Sequence, residues 1–126
     1  MRNLAILIAA AAAAPASAQP PQAATVTVRL SNFDFAPATI RLPAGRPIVL
    51  RLVNTASGGH DFSAPAFFAA ARIDPSAAGR VRRGGVEVRG RSSVELRLVP
   101  AAGRYRLRCT HLFHSTFGMT GAIVVE

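Results

Sequence analysis

The chain has 126 residues, half of them hydrophobic, a formal net charge of +9, one Cys and no Lys among its fifteen basic residues. That length suits one compact domain and excludes two of ordinary size, and a single Cys excludes an internal disulfide framework. A strongly basic domain can bind nucleic acid, but these Arg side chains are not interleaved with aromatic residues, so the charge points to an acidic protein partner, an anionic surface or plainly solvated faces.

The N-terminus inflates the hydrophobic fraction. Met1-Arg2 supplies an early positive charge, Leu4 to Ile8 and Ala9 to Ala14 form a short apolar stretch, Pro15 interrupts it, and Ala16-Ser17-Ala18 offers small residues for a cut. This order is that of a secretory signal peptide. The stretch is shorter than the roughly 20 apolar residues a membrane span needs, and no Cys follows to carry a lipid. The expected organisation is a signal peptide over 1–18 cleaved after Ala18, a flexible lead-in over 19–24, and one domain over 25–126. No second apolar run follows, so no membrane span is expected, and the mature protein should be periplasmic or secreted.

From residue 25 onward, apolar and polar residues alternate in short runs, the signature of half-buried strands. Val26, Val28 and Leu30 open the series. Ile40 and Leu42 follow, then Ile48, Leu50 and Leu52, where Val49 and Val53 add burial on the second face. Val86 and Val88 flank Glu87; Val94, Leu96 and Leu98 alternate with Glu95 and Arg97; Tyr105 and Leu107 alternate with three Arg; Ala122 to Val125 closes the chain. Turn residues separate the runs: Pro43-Ala44-Gly45, Ser57-Gly58-Gly59, Gly84-Gly85, Arg89-Gly90-Arg91 and Ala101-Ala102-Gly103. Only Pro65 to Arg72 reads as a short helix, and Asp74 to Arg83 reads as a loop. The fold class expected is all-β: an antiparallel Greek-key sandwich or barrel of about seven to eight strands with one short helix.

Parity along the late strand places the thiol. With Tyr105 and Leu107 facing inward, a period of two puts Cys109 on the same side, at the core edge where the strand ends. An exported protein normally pairs its Cys residues, and metal ligation is one protection for a solitary thiol. The segment Cys109-Thr-His111-Leu-Phe-His114-Ser-Thr-Phe-Gly-Met119 then places imidazole and thioether donors beside the thiol, in the loop before the last strand. One thiolate, two imidazoles and a weak axial sulfur are what copper takes. A second His must come from elsewhere, and His60, after the Ser57-Gly58-Gly59 turn, fits. Singly, each residue also suits an ordinary role: buried hydrophobe for Cys109, core filler for Met119, turn residue for His60. Zinc competes for a Cys with two His, but structural zinc wants four strong ligands and Met is a poor fourth.

These residues resemble the plastocyanin–azurin group of cupredoxins. The likeness runs through Tyr105-Arg-Leu-Arg-Cys109-Thr110, His114, Met119 and Gly121-Ala-Ile-Val-Val, and upstream through Val53-Asn54, Gly58-Gly59-His60-Asp61-Phe62, Phe33-Asp-Phe-Ala-Pro37 and Pro43-Ala-Gly45. It spans essentially all of residues 25 to 126. It implies that His60, Cys109, His114 and Met119 ligate one copper ion cycling between Cu(I) and Cu(II), and that the protein is a blue copper electron carrier. Four residues separate Cys109 from His114, as in azurins, and four separate His114 from Met119, as in plastocyanins. His111 is an additional imidazole, read as an exposed loop residue or a hydrogen-bond donor to the site. Asp61 stands where many of these proteins carry Asn. Its N–H is expected to donate to the Cys109 sulfur, and its carboxylate to accept from a neighbour such as the Thr110 N–H.

The function expected is one-electron transfer with a redox protein, most simply an acidic one, by a monomer that contacts neither nucleic acid nor a membrane interior. Electrons would pass at the His114 edge, amid Leu112, Phe113 and Phe117. Copper storage, resistance or delivery is the alternative, in which His111 would serve as an exchange ligand, and a metal-free binding module is the third reading. No carboxylate pair or activated nucleophile is visible, and four protein ligands leave no open position, so an enzyme is not expected.

Overall fold

A computed structural model describes residues 4–15, 22–111 and 118–126. The predicted cut after Ala18 and the residues Leu112, Phe113, His114 and Phe117 lie outside them. Residues 4–15 carry no helix or strand, and Leu4, Ile6, Leu7 and Ile8 are exposed. No helix among the described residues is long and apolar enough to cross a membrane.

The alternating runs form strands β1 (Ala24–Ser31), β2 (Asp34–Ala36), β3 (Thr39–Leu42), β4 (Ile48–Asn54), β5 (His60–Ser63), β6 (Arg72–Ile73), β7 (Gly85–Val88), β8 (Ser93–Val99), β9 (Gly103–Arg108) and β10 (Thr120–Val125). Two short helices, α1 (Pro65–Ala70) and α2 (Pro75–Ala78), join them. The strands make two sheets, ordered β2-β1-β4-β8-β6 and β3-β10-β9-β5-β7. Each sheet turns one face inward, and the core between them holds Val28, Leu30, Ile40, Leu50, Leu52, Phe62, Leu96, Leu107 and Ile123. Burying each such side chain is worth about 1.5–3 kcal/mol, so the inward parity of every strand is strongly specified.

The two-sheet β-sandwich is the fold expected. Two pairings within it run parallel rather than antiparallel: β1 with β4, Val28 opposite Leu52, and β3 with β10, Ile40 opposite Ile123. Alternation fixes which face is buried and says nothing of strand direction. Direction here follows from chain routing, since β2 and β3, neighbours in sequence, sit in different sheets and a crossover permits parallel neighbours.

The helix expected over Pro65 to Arg72 ends at Ala70 and buries Phe67 and Phe68. Phe67 meets the Tyr105 ring edge-on with centroids 5.5 Å apart, and Phe68 meets Phe62 at 6.0 Å. The stretch expected to be loop after Asp74 contains the one-turn α2. Its cause is local: the Asp74 side chain accepts the Ser76 N–H at 2.9 Å, and Pro75 occupies the first helical position.

Candidate metal centre

The centre lies at the end of the sandwich where β4, β5, β7 and β9 finish or begin. Tyr105, Leu107 and Cys109 share the inward side of β9 as parity requires, and Cys109 is 0% exposed. Thr120 opens β10 opposite Arg108, and one rung further the Cys109 N–H donates to the Met119 carbonyl at 3.1 Å. Cys109 and Met119 are thus cross-strand neighbours at the base of one hairpin, and Met119 is also 0% exposed. Residues on facing positions of one sheet face stand close enough to act together, so strand register alone brings the two sulfur side chains together.

His60 arrives from the other side. Phe62 is buried against Phe35 and Phe68, and parity turns His60, two residues earlier, inward as well at 2% exposed. Its Nδ1 is 3.8 Å from Cys109 Sγ. The loop that delivers it is locked by Asn54, the last residue of β4. Asn54 Nδ2 donates to the Gly58 carbonyl at 2.9 Å and the Val88 carbonyl at 3.0 Å, while its Oδ1 accepts the Ala56 N–H at 3.0 Å. Gly90 lets β7's outgoing chain pass against this loop; any Cβ there would collide with the Ser57 carbonyl.

Asp61 does both things expected of it. Its N–H donates to Cys109 Sγ at 3.5 Å, and its carboxylate accepts the Thr110 N–H at 2.5 Å and the Thr110 hydroxyl. Directly across the strand pair, Glu87 of β7 stands opposite Asp61 and takes His111 Nε2 at 2.9 Å. Two carboxylates on adjacent strands therefore hold the two residues that follow Cys109. The His111 ring lies 6.2 Å from that of His60, tilted by 32°, so this extra imidazole flanks the centre. Asn54 and Glu87 were not legible as site residues. The available signals were an Asn before a Ser/Gly turn and an outward acid between two inward valines.

Burial pushes the Cys109 thiol up to about 11, against the opposing pull of the Asp61 N–H. Without a positive ion the sulfur is therefore protonated at neutral pH. The donor set itself fits copper. A buried thiol, an imidazole nitrogen and a thioether side chain are soft or intermediate donors. At 3.8 Å from each other, His60 Nδ1 and Cys109 Sγ are close enough that one ion could be held by both. His60, Cys109 and Met119 are arranged as in a type 1 copper site; His114 lies outside the described residues.

The family model for the cupredoxin-like domain matches residues 3–125. No curated protein matches the sequence. Among solved structures, auracyanin B is 21% identical with a TM-score of 0.59, over 86% of this chain and 93% of that one. Auracyanin A, described as a "blue" copper protein from Chloroflexus aurantiacus, is 19% identical with a TM-score of 0.55, over 81% and 99%. A multicopper oxidase from Campylobacter jejuni is 14% identical with a TM-score of 0.60, over 86% of this chain but 31% of the oxidase. At these identities the likeness is one of fold, and the oxidase shows that this fold also serves as one part of a larger enzyme. With the family model spanning nearly the whole sequence, the chain belongs to the cupredoxin-like family.

Proposed function

We propose that this chain is an exported blue copper protein that passes single electrons between redox partners, with one ion held by His60, Cys109, His114 and Met119. The observation that carries the reading is the inward Cys109 thiol, which receives the Asp61 N–H and stands 3.8 Å from His60 Nδ1. Bound copper supplies one-electron redox chemistry, cycling between Cu(I) and Cu(II). The chain's own residues hold the site still while that happens. Asn54 fixes the loop before His60, Asp61 fixes Thr110, and the hydrogen bond between Cys109 and Met119 fixes the hairpin base. A site that cannot rearrange offers both oxidation states the same donors, which keeps reorganisation small.

Burial of Cys109, Met119 and His60 keeps water from the sulfur donors. A set of four protein ligands leaves no position for substrate, so the chain acts as a carrier and not an enzyme. The apolar stretch with Leu4, Ile6, Leu7 and Ile8 exposed, and the small residues up to Ala18, support a cleaved leader over 1–18, a lead-in over 19–24, a working domain over 25–126, and a periplasmic or secreted location. The excess of Arg supports a monomer that meets an acidic redox partner.

One observation favours a second reading, copper storage or delivery: His111 lies beside His60 and offers an imidazole for exchange. The two separate in one experiment. Reversible one-electron voltammetry of the copper-loaded protein, with copper retained against a Cu(I) chelator, supports the carrier. Irreversible waves and rapid surrender of Cu(I) to the chelator support handling.

A further inference from the structure

The chain has fifteen Arg against six acidic residues, and part of the surplus lies beside the metal centre. Along β9, Arg104, Arg106 and Arg108 alternate outward while Leu107 and Cys109 face the core. Arg108 stands opposite Ser63 at the end of β5, and with Arg106, Ser63 and Pro65 it lines one cleft. Across from them the turn after α2 brings Arg80, Arg82 and Arg83 to a second cleft of about 520 Å³ whose walls include Ser63, Asp61 and Thr110. Thr110 is the residue after Cys109, so this cleft opens on the flank of the proposed copper centre.

The turn that carries these arginines is built firmly. Arg82 and Gly85 exchange backbone hydrogen bonds at 2.9 and 3.0 Å, with Arg83 and Gly84 between them at φ values of 52° and 71°. That is the tight hairpin turn favoured between strands. Gly84 lies so close to α1 that a Cβ there would come within 2.6 Å of Pro65 Cα. The guanidinium groups are therefore displayed from a fixed backbone.

Among the described residues, arginine ion pairs join Arg41 to Glu126 and Arg51 to Glu95, both elsewhere. Two carboxylates, Asp61 and Glu87, also border the second cleft, hydrogen-bonded to Thr110 and His111, so the two clefts together set five arginines against two acids and are net positive. A net positive surface of this kind attracts anions, and Arg receives carboxylates with two parallel hydrogen bonds. The cleft is concave, and the exposed large apolar side chains among the described residues are Leu4, Ile6, Leu7, Ile8 and Phe33, none of them on its walls. A projecting acidic side chain fits that shape; a lipid surface would call for apolar residues to insert.

We propose that the face formed by these two clefts, which meet at Ser63, is the docking surface for an acidic protein partner, whose carboxylates are received by Arg80, Arg82, Arg83 and Arg108 on the flank of the copper centre. The partner's existence rests on the electron-carrier reading; the location and chemistry of the surface do not.

The test uses the full copper-loaded chain and a fluorescent poly-glutamate peptide of about 20 residues, with binding read by anisotropy at low ionic strength. One variant carries Arg80→Gln, Arg82→Gln and Arg108→Gln. A control of equal charge carries Arg29→Gln, Arg46→Gln and Arg72→Gln, all exposed and away from the cleft. Loss of three exposed charge pairs makes the first variant about tenfold weaker, while the control stays within about twofold of the parent.

Equal weakening in both variants, or none in the first, overturns the proposal. So does loss of copper from the first variant, which would make these arginines part of the metal site. Vesicles of phosphatidylglycerol and phosphatidylcholine form a second arm; discrimination between the variants on vesicles and not on the peptide assigns the face to a membrane and overturns the proposal. A parent that binds no copper yet discriminates on the peptide retains the docking surface and refutes the copper reading alone.

Discussion

Metal binding at Cys109 should be driven by pH in a way that follows from burial. In the metal-free protein the thiol is pushed from an ordinary 9.0 up to about 11, first by desolvation, with the Asp61 N–H working the other way. At pH 8 the thiolate is then about one part in a thousand, against about one in ten for an unburied thiol. A metal takes the thiolate, so each ion bound near neutral pH displaces one proton from sulfur. Affinity for Cu(I) should rise about tenfold per pH unit between about 7.5 and 10 and level off above the thiol's own value. That window lies above the ordinary imidazole value of about 6.5, so the slope reports sulfur. The assay is competition against a Cu(I) chelator of known pH dependence at constant ionic strength. A slope near zero would refute the reasoning, because it would mean either a thiolate already formed or a cysteine that is not a ligand. The same raised value sets a stability trend. The unfolded chain ionises its thiol first, so this contribution to the metal-free fold is present below pH 9 and lost as pH climbs toward 11.

Asn54→Ala removes three hydrogen bonds at the loop before His60 and leaves buried carbonyls unmatched, at a cost of about 2–4 kcal/mol by urea unfolding; an unchanged midpoint would show that the loop is held otherwise. Asp61→Asn keeps the N–H to sulfur but removes the charge that holds Thr110, so stability should fall by about 1 kcal/mol while the thiolate–copper absorption is kept. Loss of that absorption would make the carboxylate essential to the site. Met119→Leu is nearly volume-conserving and should cost less than about 1.5 kcal/mol. Copper should stay bound and its potential, read by voltammetry, should rise, since a donor favouring Cu(II) is gone; an unchanged or lower potential would remove Met119 from the ligand set.

Much of this architecture is legible because a strand has only two faces. Parity placed Leu107 and Cys109 inward. The burial expected on the second face of β4 from Val49 and Val53 holds at Val49 alone: Val53 is half-buried and Arg51 between them is exposed. Short elements escaped the pattern: β2 has three residues and β6 two, too few to alternate, so about seven to eight expected strands became ten. The parallel partners of β1 and β3 escaped it because periodicity carries no direction. At the site, donors and the double role of Asp61 could be read from residue types and family likeness. Asn54 and Glu87 could not, because they act through partners distant in sequence, Val88 and His111, that only the folded chain brings near. The arginine-bearing face is of the same kind: its two clefts draw residues from a turn after α2 and from β9, and only the folded chain brings them together at Ser63.

The central claim is that Cys109 holds copper as a thiolate in a site shared with His60. The absorption spectrum of the Cu(II)-loaded protein tests it most directly. An intense visible band from thiolate-to-copper charge transfer, absent in Cys109→Ser, is the predicted result. A pale Cu(II) form without that band, or a band that survives Cys109→Ser, would contradict it.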